Sequence, residues 1–379
     1  MTTHTFPSLI ESHNTELENV ALDLVHGLKI YEDDTGYIIG DLALSEGASP
    51  YKAVNSSPED LDYRLLARAG LLVATEGEQE PVTITVGFPY STYQRNRDLA
   101  VDFFSEAHNI QHDAATYGGG GRKNEYVRVD RIEVLPEVLG CIIAARNNEE
   151  YRRHDALFMG SLGYGTFEAC LSTRGGVVQR TTVSCQGIRY AVDITMRELE
   201  KKHYLDLRTE HQFDISFQKG QIILNRRRMD ISGVRTMALR RYYQDVISPA
   251  LRSAWKDDDF RQPTKLVLAG GGTMYTELLD CFRDEFGEIL DVEVVDDPVT
   301  AASRGYCLRS VSLAGNRGVA VGLDVGNAHT ALSFKRIGSS GHSDYASEQQ
   351  PNQEQQPVAA SNSAGPDRQP ARAEEPVRR

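Results

Sequence analysis

Two short stretches far apart in this chain are built alike, and together they restrict the fold more than any other feature. "SLGYGTFE" (Ser161–Glu168) and "GLDVGNAHTAL" (Gly322–Leu332) each follow an apolar strand, turn on glycine, and pass through a threonine into a second strand. Glycine lets the backbone turn tightly and bring its N–H groups near an anion. Alone, either stretch is a weak signal, and such a hairpin is more often a plain turn. Two copies about one domain apart suggest two phosphate hairpins that face each other across a cleft and hold a polyphosphate from both sides. In the later copy Asp324 ends its strand where a carboxylate can hold magnesium through water, and the Thr330 hydroxyl can add a bond.

A third glycine turn, Gly270-Gly271-Gly272, follows the apolar run "KLVLA" and opens a helix with Thr273 as its expected cap. Here a flat ring or a ribose can approach the backbone. The turn matches neither GxGxxG nor the P-loop, so those dinucleotide and nucleotide motifs are lacking. Glu137 follows "VLP" at the start of an apolar helix, with Pro136 expected in the first turn. A glutamate there either complements the helix dipole or orients a water for attack on a terminal phosphate. The run "YGGGGRK" (Tyr117–Lys123) follows no apolar strand and is expected to be a loop.

Between these points strands and helices alternate in two similar cycles, which implies an α/β fold of two lobes around a cleft. Expected strands include Val82–Pro89 and both halves of Gly27–Leu44. "QFDISFQKGQIILN" reads as two further strands, and Ser232–Asp257 as one long helix bent at Pro249. From 338 to 379 the chain is Gln, Pro, Ser and Ala with few large apolar residues, so a disordered tail is expected. The expected domains are 1–150, completed by a hairpin at 314–337, and 151–313.

The bulk numbers suit a globular protein of 379 residues, with 40% hydrophobic and 25% charged residues. A net charge of −13 disfavours direct contact with nucleic acid. No run approaches the ~18 apolar residues of a membrane span. Five cysteines without CxxC spacing read as free thiols in a reducing cytoplasm.

Taken together, these motifs resemble the actin–Hsp70–sugar kinase ATPase superfamily, and most closely the plasmid-segregation actins of the ParM type and their archaeal relatives. "LPE" at 135–137, "SLGYGTFE" at 161–168, "LVLAGGG" at 266–272 and "DDPVTAASRGYCL" at 296–308 follow in that family's order, and "VGFPYSTY" (Val86–Tyr93) resembles its Gly-Leu-Pro turn. Only the hairpin around Asp324 is out of order, because the family places it first. "FPSLIE" (Phe6–Glu11), which resembles the segment after that hairpin, opens this chain. A circular permutation is therefore expected, with the first hairpin moved to the C-terminal side.

The resemblance implies ATP or GTP with Mg2+ as cofactors. It implies that Asp324, Gly326, Asn327 and Thr330 contact metal and phosphates, joined by Ser161, Gly163, Gly165 and Thr166 of the second hairpin. Glu137 corresponds to the water-positioning residue, and Gly270, Gly271 and Gly272 to the adenosine turn. It further implies self-assembly into filaments, slow ATP hydrolysis, and a role in plasmid or DNA segregation through a DNA-binding adaptor. Two positions depart from the pattern: Ser161 stands where the family has Asp, and Ala331 where many members have Lys. Rival readings are a non-polymerising nucleotide switch of the same fold, a small-molecule kinase of the sugar-kinase type, and a binding module whose glycine turns carry no chemistry.

Overall fold

The C-terminal hairpin lies inside a sheet. In the computed structural model, which describes residues 1–51, 57–76, 79–203, 210–224 and 226–338, strands Gly318–Val325 and His329–Ile337 pair antiparallel with Leu323 opposite Leu332. Thr2–Pro7 adds antiparallel on the far side of the second strand. Val82–Phe88 adds parallel to the first, and Val129–Pro136 parallel to that. The hairpin strands are buried along most of their length, because helix Leu61–Thr75 and helix Ala301–Leu313 both pack on this sheet. A strand covered on both faces reads as a continuous apolar run, as "GVAVGL" does.

A second five-stranded sheet repeats this plan. Ala156–Leu162 and Thr166–Thr173 form the antiparallel hairpin, and Gly176–Gln186 extends it antiparallel. On the other side Lys265–Ala269 and Asp291–Val294 add parallel. Both sheets thus run antiparallel, antiparallel, parallel, parallel from one edge to the other. The hairpin 318–337 holds in the first sheet the place that 156–173 holds in the second. The chain path differs: in the second sheet the third antiparallel strand follows its hairpin, whereas in the first it is the N-terminal strand. A third, antiparallel sheet runs Ile10–Ser12, Thr35–Ile39, Lys29–Glu32, His108–Asp113, Arg122–Val127.

The apolar residues gather accordingly. One core lies under the first sheet around Leu65, Leu72, Ile84, Val321 and Leu332. Another lies on one face of the second sheet around Phe158, Phe167, Leu268 and Phe282. A third unites helix Glu137–Asn147, helix Ala301–Leu313 and the other face of the second sheet around Val138, Met159, Val267 and Tyr306. The two helices touch through glycine. A Cβ on Gly305 would fall on the carbonyl of Gly140, so no larger residue permits this approach.

Several expectations fail locally. "DLAL" is the start of helix Asp41–Glu46 rather than a strand, with the preceding strands joined by Asp33 and Asp34 at φ 47° and 63°. "FDISF" belongs to helix Glu210–Lys219. Its alternation is also an i, i+4 repeat, and Phe213 and Phe217 are the buried pair. The long helix is continuous from Ser232 to Ala254 but passes through a π segment at Tyr243–Ile247, just before Pro249. Thr273 does not cap the helix, which begins at Thr276; its hydroxyl donates to the Gly270 carbonyl at 2.8 Å. Pro136 ends a strand, and the helix starts at Glu137. The glycine run at 118–121 lies between strands of the third sheet, as a loop. The tail expected at 338–379 lies outside the described residues beyond Gly338. Among the described residues no helix is long and apolar enough to cross a membrane, and all five cysteines are free thiols.

Candidate nucleotide cleft

Each hairpin turn is held by a segment that follows or precedes it in space rather than in motif. In the C-terminal hairpin, the Gly326 N–H donates to the His329 carbonyl at 3.1 Å and closes the turn. Ser8 then clamps it. Its N–H donates to the Ala328 carbonyl at 3.0 Å, and its hydroxyl donates to the Gly326 carbonyl at 2.6 Å and lies 3.0 Å from the Thr330 hydroxyl. In the other hairpin, the Gly163 N–H donates to the Thr166 carbonyl at 2.9 Å. The connection after Gln186 clamps this turn: N–H groups of Gly187, Ile188 and Arg189 donate to the carbonyls of Gly165, Gly163 and Tyr164 at 3.0, 3.1 and 2.9 Å. Three successive carbonyls are thereby engaged and do not face an anion as bare acceptors.

The turns meet across one cleft. Its wall includes Asp324, Gly326 and Asn327 from the first sheet, and Ser161, Gly163, Gly165 and Thr166 from the second. Glu137 and the three glycines Gly270, Gly271 and Gly272 also line it. Thr330 is the exception among the expected residues: it is fully buried and its hydroxyl pairs with Ser8, so it braces the turn from behind. Gly270 has φ +88°, and a Cβ there would lie 2.5 Å from the Leu162 carbonyl oxygen, so glycine is needed twice over. At Gly271 nothing lies within 4 Å of such a Cβ, which leaves its backbone open to a ring.

Carboxyl groups crowd the junction of the two sheets. The Ser161 hydroxyl donates to Glu137 Oε1 at 3.1 Å. Burial pushes the Glu137 carboxyl above its ordinary range, opposed by that hydrogen bond. Burial, and then the Glu137 charge, push Asp324 well above its own. Behind them Glu168 is fully buried and accepts the Tyr90 N–H at 2.5 Å, at the start of helix Tyr90–Ser105. Burial first, and Glu137 second, push Glu168 up to about 8. Carboxyls forced upward in this way favour a bound cation or proton.

The Glu168 shift has a thermodynamic consequence. A carboxyl with a raised pKa in the folded state contributes stability that is complete below its unfolded pKa and is lost as pH rises through about 8. Glu168→Gln keeps the acceptor for Tyr90 and removes the titration. The variant should melt higher than the parent at pH 9 and close to it at pH 5; equal melting temperatures at both pH values would remove Glu168 as the cause.

Sequence reasoning missed the clamps. Ser8 and Gly187 lie in no phosphate motif, although "FPS" stands out at the chain start. It also missed Tyr306, whose ring fills the space beside Gly87 and Gly140 and whose hydroxyl donates to the Glu137 carbonyl at 3.4 Å. Cys141, one turn along from Glu137, lines the cleft as well.

Residues 1–140 match the family described as actin-like proteins, N-terminal domain. No curated protein sequence matches the chain significantly. Among solved structures it is similar to an archaeal actin homologue, with 16% identity, a TM-score of 0.62, and coverage of 82% of this chain and 92% of the other. It is similar to ParM in a 15-stranded filament from Clostridium botulinum, with 17% identity, a TM-score of 0.64, and coverage of 79% and 90%. It is also similar to Bacillus thuringiensis ParM with ATP, with 14% identity, a TM-score of 0.55, and coverage of 81% and 91%. The archaeal homologue has in addition been solved in complex with ADP. Two sheets of one plan, two glycine hairpins across a cleft, and these likenesses agree: the chain has an actin-like fold, and its first 140 residues match the N-terminal domain of the actin-like proteins.

Proposed function

We propose that this chain binds ATP or GTP with Mg2+ in the cleft and assembles with copies of itself into filaments. The observation that carries the proposal is the convergence of two equivalent hairpin turns, one from each sheet, on a cleft that also contains the Gly270–Gly272 turn. The two hairpin turns would hold the phosphates from opposite sides, and Gly271 would lie against the base or ribose. Similar chains solved with ATP, with ADP and as a filament support the same assignment. The permuted order is part of the proposal, supported by the hairpin 318–337 occupying the place that 156–173 holds in the second sheet. So are the domain limits given above, a cytoplasmic setting, and plasmid or DNA segregation through a DNA-binding adaptor.

The residues present fit a magnesium ion. Asp324 and Glu137 are oxygen donors whose carboxyls are held above their ordinary range with no lysine or arginine beside them among the described cleft residues. Magnesium typically takes one or two carboxylates and completes its shell with water and substrate phosphates. Asp324 would hold it, and the bound ion would offset charge on the phosphates. Glu137, set at the helix start and oriented by Ser161, would position a water on the phosphate side of the cleft. Because Ser161 occupies Glu137 Oε1 and supplies no carboxylate of its own, hydrolysis should be slow, which favours a nucleotide switch as the second reading.

Right-angle light scattering at micromolar protein tests the assembly. A rise above a critical concentration on adding Mg-ATP or Mg-GTP, absent without nucleotide, is expected. A flat trace at every concentration would eliminate nucleotide-driven filaments and leave the switch.

A further inference from the structure

A triphosphate carries several negative charges, yet the cleft wall offers it little positive charge. Among the described residues that line the cleft there is no lysine and no arginine, while Glu137 and Asp324 are both acidic. One basic side chain remains, His329. It is exposed, it follows the Gly326-Asn327-Ala328 turn directly, and its carbonyl is fixed by the Gly326 N–H at 3.1 Å. Across the sheet it stands opposite Pro7, one residue before the Ser8 clamp. Its backbone is therefore held from two sides, and the residue lines the same cleft as the second hairpin.

We infer that His329 is the phosphate-contacting side-chain donor of this cleft and sets its preference for nucleoside polyphosphates over nucleosides. The inference rests on the nucleotide assignment above. An imidazole can donate a hydrogen bond to phosphate oxygen when neutral and a charge-assisted one when protonated. It takes the role that a fixed cation would otherwise fill, without adding a permanent charge beside Asp324. Recognition of the ring of the nucleotide belongs to the Gly270–Gly272 side and does not involve His329.

The test is calorimetric titration of the full chain with Mg-ATP and, separately, with adenosine, for the parent, His329→Ala and His329→Lys. The side chain is exposed, so the variants should fold, and a melting curve of each verifies it. His329→Ala should weaken Mg-ATP roughly tenfold, the size of a lost charge-assisted hydrogen bond. Its adenosine affinity should stay within about twofold of the parent by the same reasoning. His329→Lys should bind Mg-ATP at least as tightly as the parent. If His329→Ala binds Mg-ATP as the parent does, or loses both ligands equally, His329 is not the phosphate contact although the nucleotide assignment stands. If the parent binds neither ligand, the nucleotide assignment itself falls and takes this inference with it.

Discussion

Asp324→Asn should lose magnesium-dependent nucleotide binding and, without nucleotide, melt at a higher temperature than the parent. The two effects have one cause. Burial and the Glu137 charge hold the Asp324 carboxyl well above its ordinary range. Such a group costs stability once pH exceeds its unfolded pKa, and the cost is fully present when pH also exceeds its folded pKa. The amide removes that titration, so the ligand-free protein gains stability towards high pH. The same carboxylate is the group placed to hold magnesium through water. Losing an outer-shell partner of a metal commonly costs roughly 10- to 100-fold in affinity. Titration of the variant with ATP, in magnesium and then in chelator, gives the answer together with a ligand-free melting curve. Parent-like affinity in magnesium would move the metal away from Asp324. A lower melting temperature would mean that the carboxylate is a structural acceptor.

Asp113→Ala should cost stability on the scale of a broken buried ion pair, about 3–5 kcal/mol. Lys29 is only 2% exposed, an extreme value for a lysine, so its charge must be answered from within. Its ammonium donates to the Thr15 carbonyl at 2.9 Å and lies 3.4 Å from Asp113 Oδ2. That carboxylate also accepts the Tyr31 hydroxyl at 3.1 Å, and its other oxygen accepts the Ala115 N–H at 3.2 Å. Removing it leaves a buried cation with one neutral acceptor, and frees the turn at Ala114–Tyr117 that ends one strand of the third sheet. Urea denaturation measures the loss. The double variant Lys29→Met/Asp113→Leu should recover much of it, because two apolar residues bury neither charge. A double variant as unstable as Asp113→Ala would put the cost in the turn and not in the ion pair.

The local chemistry was legible from residues close together in the chain. Gly163 and Gly326 mark turns in which an added Cβ would come within 2.8 Å of the Thr166 carbonyl oxygen and 2.7 Å of the His329 carbonyl oxygen. Pro136-Glu137 marks the passage from strand to helix, since proline cannot continue the helix behind it. Gly270 and Gly272 mark a close approach, here to Leu162. Where two periodicities coincide, as in Phe213-Asp214-Ile215-Ser216-Phe217, neighbours in sequence were not enough. Packing of Phe213 and Phe217 into the second core selected the helix. Similarly, Thr273 looked like a cap from its position, but the helix begins three residues later.

The amino-acid order by itself determined that this chain has two glycine hairpins, a third glycine turn and an acidic residue at the start of an apolar helix. Each of these depends on backbone geometry over a few residues. Only the tertiary structure decided what the side chains in them do. It sent the Thr330 hydroxyl to Ser8 and kept it out of the cleft, it put the Ser161 hydroxyl on Glu137, and it brought Glu168 behind both. It also placed a hairpin from the end of the described chain beside a strand from its beginning. These outcomes depend on which distant groups arrive within hydrogen-bond reach, and that is settled by how two sheets and the helices between them pack, not by any residue's neighbours in the chain.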